Sequence, residues 1–226
     1  KEYGYSVFST VFYAEFLNKK LNVIDCPGSD DFVGNAVTAL NVTDTGVILI
    51  DGQYGVEVGT QNIFRTCEQL KKPIIFAINQ LDGEKADFDN SLLQLKEHYG
   101  SKVVPIQFPI NCGPSFNSMI DVLLMKQYTW GPDGGVPTIT EIPEEYKEKA
   151  LEWHQALVEA AAENDEGLMD KFFEQGALTE DELRLGIRKG LIDRGIFPVF
   201  CVSALKDMGV RRMMEFLGNV VPFVDD

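Results

Sequence analysis

The chain has 226 residues, 45% of them hydrophobic, and a formal net charge of −15. That size allows one large packed domain or a domain with a sizeable insertion, and no run approaches the roughly 18 apolar residues of a membrane span. The acidic balance excludes unspecific nucleic-acid binding, which needs clustered Lys and Arg, and leaves basic protein surfaces as partners.

Lys1-Glu2-Tyr3 reads as the edge of a fragment, not as a signal peptide. Two β-rich runs follow, at 5–16 and 21–24, with Asn18-Lys19-Lys20 predicted as the hairpin turn between them. Then a pattern repeats. Continuous apolar runs at 47–50, 74–78, 103–108 and 197–202 read as strands, and helix-period segments lie at 56–70, 88–99 and 210–220. Short β-branched runs alternating with amphipathic helices predict a mainly parallel sheet covered on both faces. Ligands of such sheets bind beyond the carboxyl ends of the strands.

The rhythm breaks between about 112 and 196. Residues 119–130 alternate like one antiparallel strand, 131–135 (GPDGG) form a turn, and 138–142 supply a partner strand. Pro143-Glu144-Glu145 opens a helix to about Ala162, with a core face of Tyr146, Ala150, Trp153, Leu157 and Ala161. A second helix spans 166–174, and Thr179 with Glu182 makes a capping box for a third, to about Ile192. The expected organisation is therefore a first part at 1–111, an α+β insertion at 112–196, and a return to the parallel fold at 197–226. From Glu144 to Asp193 there are 14 Asp and Glu against 6 Lys and Arg, a net of −8 and over half the charge of the chain. Cys26, Cys67, Cys112 and Cys201 show no metal spacing and read as buried thiols in a reducing compartment. His98 and His154 are expected on helix surfaces.

Three loops follow expected strands. Asp25-Cys26-Pro27-Gly28 ends the second run; an Asp there can hold Mg²⁺ through water, and Gly28 leaves its N–H open to a phosphate. Asn79-Gln80-Leu81-Asp82 resembles the N-K-x-D guanine reader, in which a carboxylate accepts from the N1–H and the amino group of the base. Ser203-Ala204-Leu205-Lys206 resembles the S-A-x loop whose amide meets the guanine O6. Each alone also suits an ordinary turn. Together and in order they indicate nucleotide-binding ancestry.

The chain resembles the G domain of bacterial elongation factor G, a translational GTPase, over essentially its whole length. KEYGYSV at 1–7 is similar to the end of switch I, and NVIDCPGSDDF to the start of switch II. The segment IPEEYKEKALEWHQALVEAAAENDEGLMDKFFE resembles the helices of the inserted G′ subdomain, and 203–222 resembles the family's S-A-F-K-x-x-G-V segment. The match in the insertion favours elongation factor G over release factor 3 and the ribosomal protection proteins. The resemblance implies a P-loop NTPase-type G domain that binds GTP or GDP with Mg²⁺ and acts in ribosomal translocation. It also implies a cytoplasmic, monomeric protein whose partners include the ribosome and, through the acidic insertion, the ribosomal stalk protein.

Several departures qualify it. G-x-x-x-x-G-K-[ST] occurs nowhere in the 226 residues. That loop, the first strand, the first helix and most of switch I are expected before Lys1, and a sheet without that strand should show a gap and an open edge. Ser29 stands where the family has its catalytic His, so impaired hydrolysis is expected. Ser6 replaces the switch I Thr and, with Asp25, would hold Mg²⁺. Tyr3 and Tyr5 replace an Arg and an Ile of the same region. Gln80 replaces the Lys whose stem lies along the base, so binding should weaken while Asp82 keeps the guanine preference. The contrasting expectation is a ribosome-binding module whose nucleotide chemistry has degenerated.

Overall fold

A computed structural model of the chain describes residues 6–222. Strands β1 (Thr10–Phe16) and β2 (Lys19–Asp25) form an antiparallel hairpin in which Thr10 faces Asp25. Its turn is Leu17-Asn18, with φ of 50° and 59°, and Lys19 and Lys20 belong to the strand instead of the expected turn. Two successive left-handed residues match the twist of paired strands. Asn suits that conformation; Leu does not advertise it.

Helix α1 (Val33–Val42) was not expected. Val33, Gly34, Val37, Thr38 and Val42 are weak helix formers. Burial of Ala36, Ala39 and Leu40, spaced three or four apart, supports it instead.

The parallel sheet contains β3 (Gly46–Asp51), β4 (Ile74–Asn79), β5 (Val103–Pro105) and β10 (Phe197–Cys201), in the order β3-β4-β10-β5. Between them run α2 (Val58–Gln69) and α3 (Phe88–Tyr99), and α7 (Val210–Asn219) follows the last strand. Asp87 caps α3 by accepting from the Asn90 amide at 2.9 Å.

The apolar run at 103–108 is two strands. Ile106 donates its N–H to the Val199 carbonyl at 2.9 Å and accepts from the Val122 amide at 2.9 Å, so the chain changes sheets at this residue. Pro105 sits on the end strand of the parallel sheet, where its missing N–H faces away from β10 and costs no ladder bond. Strand β6 (Gln107–Pro109) then starts an antiparallel sheet, β6-β7-β8-β9, with β7 (Ser118–Asp121), β8 (Lys126–Thr129) and β9 (Thr138–Thr140). The stretch expected as one strand at 119–130 is thus a hairpin. Its turn is apolar, Val122-Leu123-Leu124-Met125, and is held by Asp121 Oδ1 accepting from the Leu124 amide at 2.9 Å.

Helices α4 (Glu144–Ala162), α5 (Glu166–Gln175) and α6 (Glu180–Ile192) complete the fold. On α4, Ala150, Leu157 and Ala161 are buried as expected, with Tyr146 and Trp153 half-buried. The Thr179–Glu182 capping box forms. Hydrogen bonding from Lys171, then from Thr179, holds the Glu182 carboxyl down at about 2. His154 is not on the surface: it is half-buried, with Nδ1 2.6 Å from the Val122 carbonyl. Cys67 and Cys201 are buried, whereas Cys26 and Cys112 are only partly so.

One apolar core runs through both four-stranded sheets. The β1–β2 hairpin shares no ladder with β3 among the described residues. On β3, Val47 and Leu49 are 38% and 60% exposed, while Ile74–Ile78 of β4 is fully buried. Val47 and Leu49 alternate with buried Ile48 and Ile50, so one face of β3 is uncovered, and among the described residues β3 ends the sheet with β4 as its one neighbour. At its tip the hairpin is attached to α7. Lys19 Nζ donates to the Gly218 carbonyl, and the Arg211 guanidinium lies 5.8 Å from the centre of the Phe16 ring.

Arg212 of α7 is only 2% exposed and donates through Nε to Asp121 Oδ2 at 2.7 Å. Gln107 donates to the same oxygen at 3.1 Å and accepts from the Cys201 amide at 3.1 Å. Arg212→Met would leave Asp121 buried without its counter-charge, which costs about 3–5 kcal/mol. The expected result is a lower urea midpoint with an unchanged slope; a midpoint within error of the parent would show that the pair contributes nothing.

Candidate functional site

β3, β4 and β10 are parallel, so the loops after β4 and β10 emerge at the same edge. The backbone first brings them together: the Val202 amide donates to the Ile78 carbonyl at 2.9 Å, and the Leu81 amide to the Val202 carbonyl at 3.4 Å. Leu81 is fully buried and plugs its loop into the core. Its carbonyl accepts from Gly113 at 2.8 Å.

Side chains then tie the two loops. Ser203 Oγ donates to Asp82 Oδ1 at 2.7 Å, and the Ala204 amide donates to Asn79 Oδ1 at 3.0 Å. Lys206 Nζ lies 3.9 Å from Asp82 Oδ2 and donates to the Pro114 carbonyl at 3.1 Å. Each carboxylate oxygen has two lone pairs, so Asp82 keeps acceptor capacity beyond the Ser203 bond. Its side chain is 14% exposed, and an incoming donor can reach it. Gln80 has φ of 59° and is exposed; Leu205 is 92% exposed. Asn79, Asp82, Ser203 and Ala204 thus form one hydrogen-bonded group, with Gln80 and Leu205 beside it.

The first loop is separate. Asp25 is exposed at the end of β2, and a Cβ on Gly28 would meet nothing within 4 Å. Ser29 opens a single 3₁₀ turn over Asp30–Phe32; its carbonyl accepts from the Phe32 amide at 2.9 Å, and its hydroxyl caps nothing. Asp30 Oδ1 would lie 3.2 Å from a Cβ on Gly59, which places this loop against the first turn of α2. The neighbouring Cys26 thiol accepts from Ser9 Oγ at 3.6 Å. Ser6 is exposed and forms no hydrogen bond with Asp25; Tyr3 and Tyr5 lie outside the described residues. No hydrogen bond among the described residues joins the first loop to the other two.

Among the described residues no group of three or more His, Cys, Asp or Glu could hold a metal. Sequence reasoning did not foresee the support from Gly113 and Pro114, and no local signal marks them. Asn79→Ala should leave the Ala204 amide unpaired and speed its hydrogen exchange about tenfold, the value of one ordinary hydrogen bond. Exchange followed by mass spectrometry or NMR checks this.

Residues 1–223 match the family described as Elongation factor Tu GTP binding domain. The chain is also similar to a solved crystal structure from Thermus thermophilus, with a TM-score of 0.88 and 27% identity. The match covers 96% of this chain and 32% of that one, so the chain spans about a third of the solved protein's length.

Proposed function

This chain belongs to the elongation factor Tu GTP binding domain family, the G domains of translational GTPases, and from that premise we propose that it is the guanine-nucleotide domain of an elongation factor G-like protein acting in ribosomal translocation, with weakened hydrolysis. The observation that carries the reading is the closed group of Asn79, Asp82, Ser203 and Ala204 at the carboxyl ends of β4 and β10. Asp82 accepts from the N1–H and the 2-amino group of guanine, a donor pair that adenine lacks. Ser203 holds that carboxylate in place. Asn79 occupies the Ala204 amide and leaves the Leu205 and Lys206 amides for the base carbonyl. The stem of Gln80 lies along the ring.

Asp25 and Ser6 are the residues that would hold Mg²⁺, which supplies charge neutralisation between phosphates when bound. Gly28 leaves its amide accessible to a phosphate. Ser29 accounts for the slow chemistry. Its hydroxyl is shorter than an imidazole and does not titrate near neutrality, so it neither positions nor deprotonates the attacking water as a histidine does.

Residues 112–196 are proposed as the inserted subdomain, with 1–111 and 197–226 forming the G domain around it. The acidic surface of α4, α5 and α6 suits a basic partner, and the stalk protein of the ribosome is the proposed one. No helix among the described residues is long and apolar enough to cross a membrane. A cytoplasmic monomer that engages the ribosome fits the family.

Two outcomes follow for the protein containing this domain. Asp82→Asn replaces an acceptor by an amide that can donate to the C2 carbonyl of xanthine. Preference should shift from GDP to XDP by at least about tenfold, as expected for a paired base contact; competition binding measures it. Ser29→His should raise ribosome-stimulated GTP hydrolysis by about 10²–10⁴-fold. Parent turnover equal to that of the histidine variant would sink the impaired-hydrolysis reading.

A further inference from the structure

The loop after β10 is supported from outside the parallel sheet. It closes on itself: the Ser203 amide donates to the Met208 carbonyl at 2.9 Å, the Met208 amide returns to Ser203 at 3.0 Å, and the Asp207 amide reaches Ala204 at 3.2 Å. The glycine turn at 131–135 of the antiparallel half lies against its far side. The Gly135 amide donates to the Asp207 carbonyl at 3.0 Å. The Trp130 indole N–H donates to the Gly135 carbonyl at 3.1 Å, so a buried aromatic side chain anchors the turn. Gly134 makes the closest approach. A Cβ there would lie 1.6 Å from the Lys206 carbonyl oxygen. Backbone is pressed on backbone, and no flexible side chain is available to give way.

We propose that Gly134, with Trp130 behind it, is a positioning residue for nucleobase specificity: the turn fixes how far the Leu205 and Lys206 amides stand from the carbonyl at C6 of the base. The inference rests on the guanine reading above. A side chain at Gly134 pushes the Lys206 carbonyl away, and the adjoining amides move with it. Asp82 stands on the other loop, which the buried Leu81 and its bond from the Gly113 amide fix in the core, and Ser203 is pinned to Met208 at the closed end of its own loop, so the contacts on the other edge of the base survive.

The geometry supplies a matched control. Gly134 and Gly135 have φ of 71° and 81°, so alanine at either pays a similar backbone penalty, but a Cβ on Gly135 meets nothing within 4 Å. The experiment measures GDP, IDP, ADP and 6-thioguanosine diphosphate affinities for the full-length protein and for Gly134→Ala, Gly135→Ala and Trp130→Phe. IDP lacks only the 2-amino group that Asp82 reads. The thio analogue weakens only the acceptor at C6. In Gly134→Ala the preference for GDP over the thio analogue should fall about tenfold, the value of one hydrogen bond, while the preference for GDP over IDP stays at the parent value. Trp130→Phe should show the same pattern more weakly, and Gly135→Ala should keep both ratios.

Equal losses in both ratios, or a Gly135→Ala variant as affected as Gly134→Ala, would show general loosening and overturn the positioning role. So would a Gly134→Ala variant with both ratios unchanged. A parent protein that does not distinguish GDP from ADP would overturn the guanine reading and this inference with it; that result is separable because it appears before any substitution is made.

Discussion

A guanidinium and a carboxylate removed from water hold the two halves of the molecule in register. Arg212 comes from the helix after the last parallel strand, and Asp121 from the second strand of the antiparallel sheet. Such a pair is costly to desolvate and is tolerated only when further hydrogen bonds complete it. Gln107 and the Leu124 amide provide that completion for the carboxylate, whereas Arg212 Nη2 is buried without a hydrogen-bond partner. Through its own oxygen Gln107 also fixes the amide of Cys201, the last residue of β10. Two residues further on the base-facing loop begins. The same polar cluster that docks the antiparallel half therefore sets the point from which that loop departs.

Much of the architecture was legible because periodicity and capping are local. α3 has the bounds its apolar spacing predicts, and α6 starts at the capping box of Thr179 and Glu182. The three loops were legible as well, since Asn, Asp and Ser at strand ends mark turns by their own side-chain chemistry. What was missed is what tertiary contacts decide. α1 is helical despite poor propensity because three small or apolar residues find a surface to cover. The first hairpin turn takes in Leu17 beside the expected Asn18, and the turn at 122–125 is built from apolar residues that carry no turn signal. The break at Ile106 is visible only once both sheets are present to claim its N–H and its carbonyl.

The candidate site divides in the same way. Asn79, Asp82, Ser203 and Ala204 are held together by hydrogen bonds between two loops of the parallel sheet. The loop after β2 has no such closure; Asp25 ends a hairpin with its own two-stranded sheet, and Gly28 and Ser29 follow it. On the proposed reading, recognition of the base rests on loops of the core sheet, while chemistry at the phosphates depends on how the hairpin is placed. On that same reading, Ser29 alters turnover without disturbing base choice.

The attachment of the hairpin tip to α7 has a mechanical consequence. Lys19 and Phe16 are tethered to the helix at one end, and Asp25 lies at the other, roughly 20 Å away for six steps of extended chain. The hairpin is a lever with its fulcrum at α7 and its working end at the phosphate loop. A swing of about 5° at the tip carries Asp25 through about 2 Å over that length, comparable to the difference between direct and water-mediated contact with a cation. Load applied to α7 therefore has a direct path to Asp25 along the hairpin, beside the path through the parallel sheet.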